Sequence, residues 1–255
     1  MKHIELIGVA GSGKSTVCSA LRERNESLNS VTEMHSAVVS EVLFPGKLSQ
    51  VGARLSPKIL SHLARITGVT DRGANYFSLK YPKMGPKTAE YIEKYTDDPS
   101  RKDYTTGTVL DLVERFGTID EHASGSETLL IDEGFSFKAG AVFHPPQYTR
   151  RFAVEELREY VATLPVPDII IFVRADPETC TKRLRNRESG PPRSWEQLET
   201  DSYLEFATEA LVVAERIADA FEARGTEILE VETDGKSVEQ STAHVESELR
   251  SLNFL

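Results

Sequence analysis

Eight residues near the amino terminus, Gly8-Val9-Ala10-Gly11-Ser12-Gly13-Lys14-Ser15, fit the spacing G-x-x-x-x-G-K-[ST]. Gly8, Gly11 and Gly13 let the backbone turn tightly, so that successive N–H groups point inward at one anion. A helix starting near Lys14 adds its positive dipole end. In such a loop Lys14 neutralises the β- and γ-phosphates of a nucleoside triphosphate and Ser15 ligates Mg²⁺, with the Thr16 hydroxyl beside it. Ser12 belongs to the same cradle. The metal needs a carboxylate partner, and Asp132, at the end of the apolar run Thr128-Leu129-Leu130-Ile131, is the candidate. Glu133 follows it and is open to several roles: activating water, orienting an acceptor hydroxyl, or contacting a base. Glu33 is a second candidate for accepting a hydroxyl proton. His35 and His144 also fall near the expected site.

A cluster of cations carries further information. Lys182, Arg183, Arg185, Arg187 and Arg193 lie close together in a chain with 40 acidic and 30 basic residues, net charge −10. Arginine forks onto phosphate oxygens and suits a charge-delocalised phosphoryl transition state. Cations in the last turn of a helix also answer its dipole, which accounts for one or two of them. Ser189-Gly190-Pro191-Pro192 breaks the helix after them, and the segment at about 183–194 reads as a lid that excludes water. Arg183, Arg187 and Arg193 are the candidates for phosphate contact.

Alternating strands and helices position these groups. Residues 2–8 read as the first strand, 14–25 as the first helix, and Val31-Thr32-Glu33-Met34 as a short second strand. From about 36 to 125 the apolar pattern is helical but broken by proline and glycine, a helical insertion before the third strand. Ile59, Leu60, Leu63 and Ile66 mark one helix in it, Ala89, Ile92 and Tyr95 another, and Val109, Leu112, Val113 and Phe116 a third. The stretch from Asn75 to Met84, rich in aromatics and lysine, either faces a substrate or is a surface loop. Strands at 128–131, 168–173 and 227–231, with helices at 147–164, after Asp176-Pro177, over Tyr203–Phe221 and after Ser237, complete the chain. The reading is a single α/β domain over 1–255, with a parallel five-stranded sheet between helical layers. Ligands of such sheets lie beyond the carboxyl ends of the strands, which brings the Gly8–Ser15 loop, Glu33, Asp132-Glu133 and the loop after Val231 to one edge.

The acidic balance disfavours broad nucleic-acid or anionic-lipid binding. No apolar run is long enough to span a membrane. Cys18 and Cys180 lack metal-ligand spacing and read as buried free thiols of a reducing, cytoplasmic setting. A homodimer is left open.

The order of motifs resembles the nucleoside and nucleoside-monophosphate kinase group of P-loop proteins. The resemblance rests on Gly8–Ser15, on Asp132-Glu133-Gly134, on Val173-Arg174-Ala175-Asp176-Pro177-Glu178 leading into Arg183 and Arg187, and on Thr233-Asp234-Gly235. It covers the sheet regions and leaves the insertion unaligned. It implies a three-layer α/β/α fold, an ATP- and Mg²⁺-dependent phosphotransferase, an arginine-bearing lid, and an adenine site near the lid helix and Thr233–Lys236, which gives Asp234 a nucleotide-binding role. Deoxynucleoside kinases carry a glutamate after the second strand as base, which would match Glu33. They follow the third strand's acid with an arginine, as thymidylate kinases do, where this chain has Gly134. Lys138, Arg150 or a lysine of the insertion are candidate replacements. The expected activity is transfer of the γ-phosphoryl group of ATP to a hydroxyl or phosphate of a small nucleoside- or nucleotide-like acceptor. The competing readings are an ATP-switched regulatory protein and a nucleic-acid-end kinase using the Tyr/Lys stretch at 76–87.

Overall fold

The first strand sets the layers. In β1 (Lys2–Ile7), Ile4 and Leu6 point to one face of the sheet, and His3, Glu5 and Ile7 to the other. Ile4 and Leu6 pack with Val17 and Leu21 of α1 (Lys14–Arg24) and with Val245 and Leu249 of the last helix. On the opposite face Ile7 joins a larger cluster built by the helical insertion and the helices after the third strand. Each side chain buried this completely is worth roughly 1.5–3 kcal/mol against exposure.

The computed structural model describes residues 1–46, 52, 54–123, 125, 127–144, 152–188, 190–192, 195 and 198–255. Five parallel strands form one sheet: β1, β2 (Leu28–Asn29), β3 (Thr128–Ile131), β4 (Ile169–Arg174) and β5 (Glu227–Glu232), in the order β2-β3-β1-β4-β5. Glu5 pairs in register with Ile131 on one side and Ile170 on the other. The connection from β1 runs to β2 on one side and that from β3 crosses to β4 on the other, so a crevice opens beyond the carboxyl end of β1.

The helices are α2 (Val31–Leu43), α3 (Pro57–Ile66), α4 (Val69–Lys80), α5 (Met84–Tyr95) and α6 (Pro99–His122) before β3. Then come α7 (Phe135–Phe143), α8 (Val154–Val161), α9 (Pro177–Arg185), α10 (Tyr203–Glu222) and α11 (Val238–Ser251). The three insertion helices expected from periodicity are α3, α5 and α6. Helix α4 is additional, and the Asn75–Met84 stretch lies on it, on the turn that follows and on the first residue of α5. None of that stretch lines either cleft at the loop edge, and Phe77 is buried in the core. Helices α4 and α6 cross at glycines: a Cβ on Gly73 would meet Thr118 Oγ1 at 2.2 Å, and one on Gly117 would meet the Gly73 carbonyl oxygen at 2.2 Å.

The second strand is a correction. Residues 31–34 open α2, and the strand lies earlier, at Leu28–Asn29. Ser30 caps α2: its hydroxyl accepts from Glu33 N, and Glu33 reaches back to Ser30 N. This reciprocal cap outweighs the β-preference of Val31-Thr32. Of the helix expected over 147–164, residues 147–151 lie outside the described residues. Both cysteines are free and buried, and burial pushes their thiols up, Cys18 to about 12 and Cys180 to about 11. No helix among the described residues is long and apolar enough to cross a membrane.

Candidate active site

The Gly8–Ser15 loop occupies the crevice beyond β1. Its glycines are required by geometry. Gly8, Gly11 and Gly13 have φ of +146°, +87° and +100°. A Cβ on Gly8 would lie 2.2 Å from the Val173 carbonyl oxygen, and one on Gly11 2.5 Å from that of Cys180. The loop therefore sits directly on the end of β4 and on the first turn of α9. Gly13 is the N-cap of α1, with no side-chain cap and no acid in the first turn, which leaves the helix start to an external anion.

Lys14 is buried, and its ammonium donates to the carbonyl oxygens of Gly8 and Val9 at 2.7 and 2.9 Å. Burial pulls its pKa down to about 8, against the opposing charges of Asp132 and Glu133. The Ser15 hydroxyl lies near Asp132, whose carboxyl is raised by burial despite Ser15 and Lys14. One oxygen, Asp132 Oδ1, is buried without a hydrogen-bond partner. A desolvated carboxylate oxygen beside a serine hydroxyl is the donor set Mg²⁺ takes, so these residues fit the ion.

Glu133 is exposed and pairs with the buried Lys138 at 3.1 Å. The ring of Phe137 lies near two ammonium groups, 5.2 Å from Lys14 Nζ and 5.6 Å from Lys138 Nζ. A cavity of about 530 Å³ runs from the phosphate loop between α6, α7 and α10. A second, of about 670 Å³, lies between α1, α2, α6 and β3. The two share Tyr104, Thr108, Glu133 and Lys138, which form their junction.

Beneath the acidic pair lies a residue that the sequence reading passed over. Glu5 is fully buried in β1 and accepts from Phe135 N (3.1 Å), Ser136 N (2.7 Å) and Ser136 Oγ (2.5 Å). His3 Nε2 is 2.9 Å from it. Burial pushes this carboxyl up, but the His3 contact and the Ser136 donors prevail and hold it below the ordinary glutamate value. Glu5 thus caps α7, whose own N-cap, Gly134, supplies no side chain. A Cβ on Gly134 would lie 2.2 Å from Glu5 Cδ, so the chain has glycine where the resemblance leads one to expect arginine.

The remaining candidates divide. Arg183 lines the cleft, but its guanidinium is tied to the loop: Nη1 donates to Gly11 O, Ser12 O and Thr233 Oγ1, and Nη2 to Thr233 O, at 3.0–3.3 Å. Thr233 in turn donates to Ser12 O at 2.8 Å. Arg187 lines the cleft and is exposed. Arg185 turns away to Thr200 O. Arg193 and Arg150 lie outside the described residues, as does part of the lid expected over 183–194.

Asp234 accepts from Asp176 N at 2.5 Å, joining the loop after β5 to the start of α9, and lines neither cleft. Glu33 is a correction in position. It sits in the first turn of α2 rather than at a strand end, half-exposed, held by the Ser30 cap and an ion pair with Arg22, and lines neither cleft. His35 is buried in α2, and burial with the nearby Arg115 charge pushes it down to about 4. His144 stacks on Phe206 at 4.3 Å, at the cleft's far end.

A parallel sheet of order β2-β3-β1-β4-β5, with a glycine-lysine loop at the carboxyl end of its central strand, decides the architecture. The fold is that of a P-loop NTPase. It is a three-layer α/β/α arrangement, and the chain resembles the nucleoside and nucleoside-monophosphate kinase group. Solved structures of deoxyadenosine kinase from M. mycoides are similar to it. One, with products dCMP and a flexible dCDP bound, is 14% identical, with a TM-score of 0.43 over 99% of this chain and 100% of that one. Another, with dATP bound, is 12% identical, with a TM-score of 0.49 over 98% and 100%. No protein-family profile and no curated protein matches the chain.

Proposed function

We propose that the protein is an ATP-dependent kinase that transfers the γ-phosphoryl group to a hydroxyl or phosphate of a small nucleoside- or nucleotide-like acceptor. The observation that carries this reading is the cavity continuous with the phosphate loop, which has room for an acceptor beside a triphosphate and has Glu133 and Lys138 at its junction. A protein that only hydrolyses ATP needs no such chamber. The loop amides and Lys14 hold the β- and γ-phosphates, and Thr16 and Asp234 stand at the nucleotide's periphery. Ser15 and Asp132 would hold Mg²⁺, which offsets phosphate charge and polarises the transferred group. Arg183 fixes the loop's shape through its carbonyls, and Arg187 is the cation placed to follow the phosphoryl group.

The test is ADP formation from Mg-ATP with and without nucleosides and nucleoside monophosphates. Kinase action gives acceptor-dependent ADP. An equal rate without any acceptor would instead favour the regulatory, water-activating reading.

The buried Lys14 makes a second prediction. In the nucleotide-free protein its depressed pKa means that the charged form costs stability below about pH 8, and that this cost fades as pH rises above that value. Polyphosphate takes the ammonium form. ADP affinity is therefore level below about pH 8 and falls above it, approaching tenfold per unit, with proton uptake on binding. Calorimetry in buffers of different ionisation enthalpy measures both. Constant affinity from neutral pH into the lysine range would contradict the assignment.

A further inference from the structure

We infer that Phe137 steers the γ-phosphoryl group to its acceptor rather than to water, by covering the phosphate end of the cleft and the carboxylate beside it. This rests on the kinase reading above and goes beyond it, since that reading names what is transferred and not what keeps water out.

The placement of the ring is the first ground. Phe135 and Phe137 share the first turn of α7, and their surroundings differ. Phe135 is buried in the core, stacked on Phe77 at 5.4 Å and edge-on to Phe116 at 5.2 Å. Phe137 is half-buried, packs into none of the hydrophobic clusters among the described residues, and lines the cleft. Polar side chains line the cleft with it, among them Lys14, Arg101, Glu133, Ser136 and Lys138. A phenylalanine left partly open among charges gains little from burial, so core packing does not account for it. What its ring meets is two ammonium groups, Lys14 Nζ at 5.2 Å and Lys138 Nζ at 5.6 Å from the centroid, both within cation–π range. The first is the ammonium that serves the β- and γ-phosphates. The second is paired with Glu133 at 3.1 Å. One apolar ring therefore abuts both the place of the donor's phosphates and the cation that holds the junction carboxylate.

The second ground is chemical. Water is itself an acceptor, and it is always present. In that side reaction a water oxygen forms a bond to Pγ as the bond from Pγ to the bridging oxygen of ADP breaks. The electron pair leaves with ADP, and the water gives up a proton, which a carboxylate hastens by receiving it. Glu133 is the carboxylate at hand: it is exposed, and its charge acts on Lys14. The Phe137 ring denies such a water its place. It offers no hydrogen bond, it stands beside Lys14, and it lies against Lys138, which draws Glu133 aside. A drier cleft also strengthens the attraction between Lys14 and phosphate charge. The true acceptor is anchored by the rest of its body in the cavity, and that binding brings its reacting oxygen past the ring, which a lone water cannot match.

The experiment measures inorganic phosphate released from Mg-ATP with no acceptor present, and ADP binding by calorimetry in the same proteins. Phe137→Ala should raise phosphate release about tenfold or more, while ADP affinity stays within about fivefold of the parent's. Phe137→Gln, polar and at home in a helix, should show the same gain, and Phe137→Leu, which keeps apolar cover, should stay within about threefold of the parent. Adding Glu133→Gln to Phe137→Ala should remove most of the gain. A loosened helix would lower turnover rather than raise it, so a gain separates cover from support. Phosphate release no higher than the parent's in Phe137→Ala and Phe137→Gln, in protein that melts normally, overturns the inference. So does a gain as large in Phe137→Leu, and so does one that Glu133→Gln leaves intact. None of these results touches the kinase reading, which stands or falls on acceptor-dependent ADP release by the parent protein.

Discussion

Lys14→Ala is expected to lower kcat/KM for ATP by about three orders of magnitude while leaving the nucleotide-free protein as stable as its parent. The first half follows from the loss of a cation that meets developing phosphate charge in a desolvated cleft, where single donors are worth about 10²–10³ in rate. The second follows from the state of the lysine before nucleotide arrives. Its ammonium is buried, satisfied by two loop carbonyls, and held at a pKa of about 8 because the charge is unwelcome there. Removing it relieves that penalty even as it frees two acceptors. Thermal melting separates the two effects. The parent should melt higher with ADP and Mg²⁺, by mass action, and the variant should melt near the parent's unliganded temperature with or without them. A variant that keeps its ligand-induced shift would show that the loop holds polyphosphate without this residue.

Gly134→Ala is the second large effect, and it arises outside the phosphate loop. The added methyl would lie 2.2 Å from Glu5 Cδ and within 2.6 Å of both carboxylate oxygens. Glu5 has nowhere to retreat, since it is fully buried and holds three donors at the start of α7. Breaking a buried, hydrogen-bonded carboxylate away from its partners typically costs about 3–5 kcal/mol, a large share of a domain's stability. The same displacement moves Asp132 and Glu133, which directly precede the glycine, so turnover should fall with stability. Urea unfolding measures the first and ADP release the second. The Glu5→Ala background supplies the control: with the carboxylate gone the methyl has space, so Gly134→Ala should cost far less there, a non-additivity that reports the contact itself. A Gly134→Ala protein within about 1 kcal/mol of its parent would refute the steric argument.

The parts of this chain that were legible in its sequence are those where local chemistry and tertiary use agree. The loop and its flanking elements, the apolar central strands and three insertion helices have patterns that point one way. The failures share a cause. Val31 and Thr32 favour strands by type, yet Ser30 and Glu33 around them spell a reciprocal helix cap, and the cap prevails. Helix α4 carries Gly73 at its middle, which lowers helix preference for a reason visible only when Gly117 arrives from α6. Glu5 was readable as an oddity, one acid inside Ile4-Glu5-Leu6-Ile7, but its partners lie some 130 positions away. The basic cluster was seen as a group, whereas its members have separate tasks: Arg183 braces the loop, Arg185 fastens to Thr200, and Arg187 faces the cleft.

The glycine crossing of α4 and α6 makes the long helix a lever. Its fulcrum is at Gly117, where the helix lies against the Gly73 backbone of α4 with the Thr118 hydroxyl and Phe77 Cβ beside the contact. Arg101 sits sixteen residues nearer the helix start, about 24 Å away at 1.5 Å per residue. A tilt of only a few degrees at the pivot would swing that far arm by about an ångström, enough to retune what the cleft accepts. A change of substrate preference in this protein could therefore come from a substitution at residue 73 or 117, remote from anything the substrate touches.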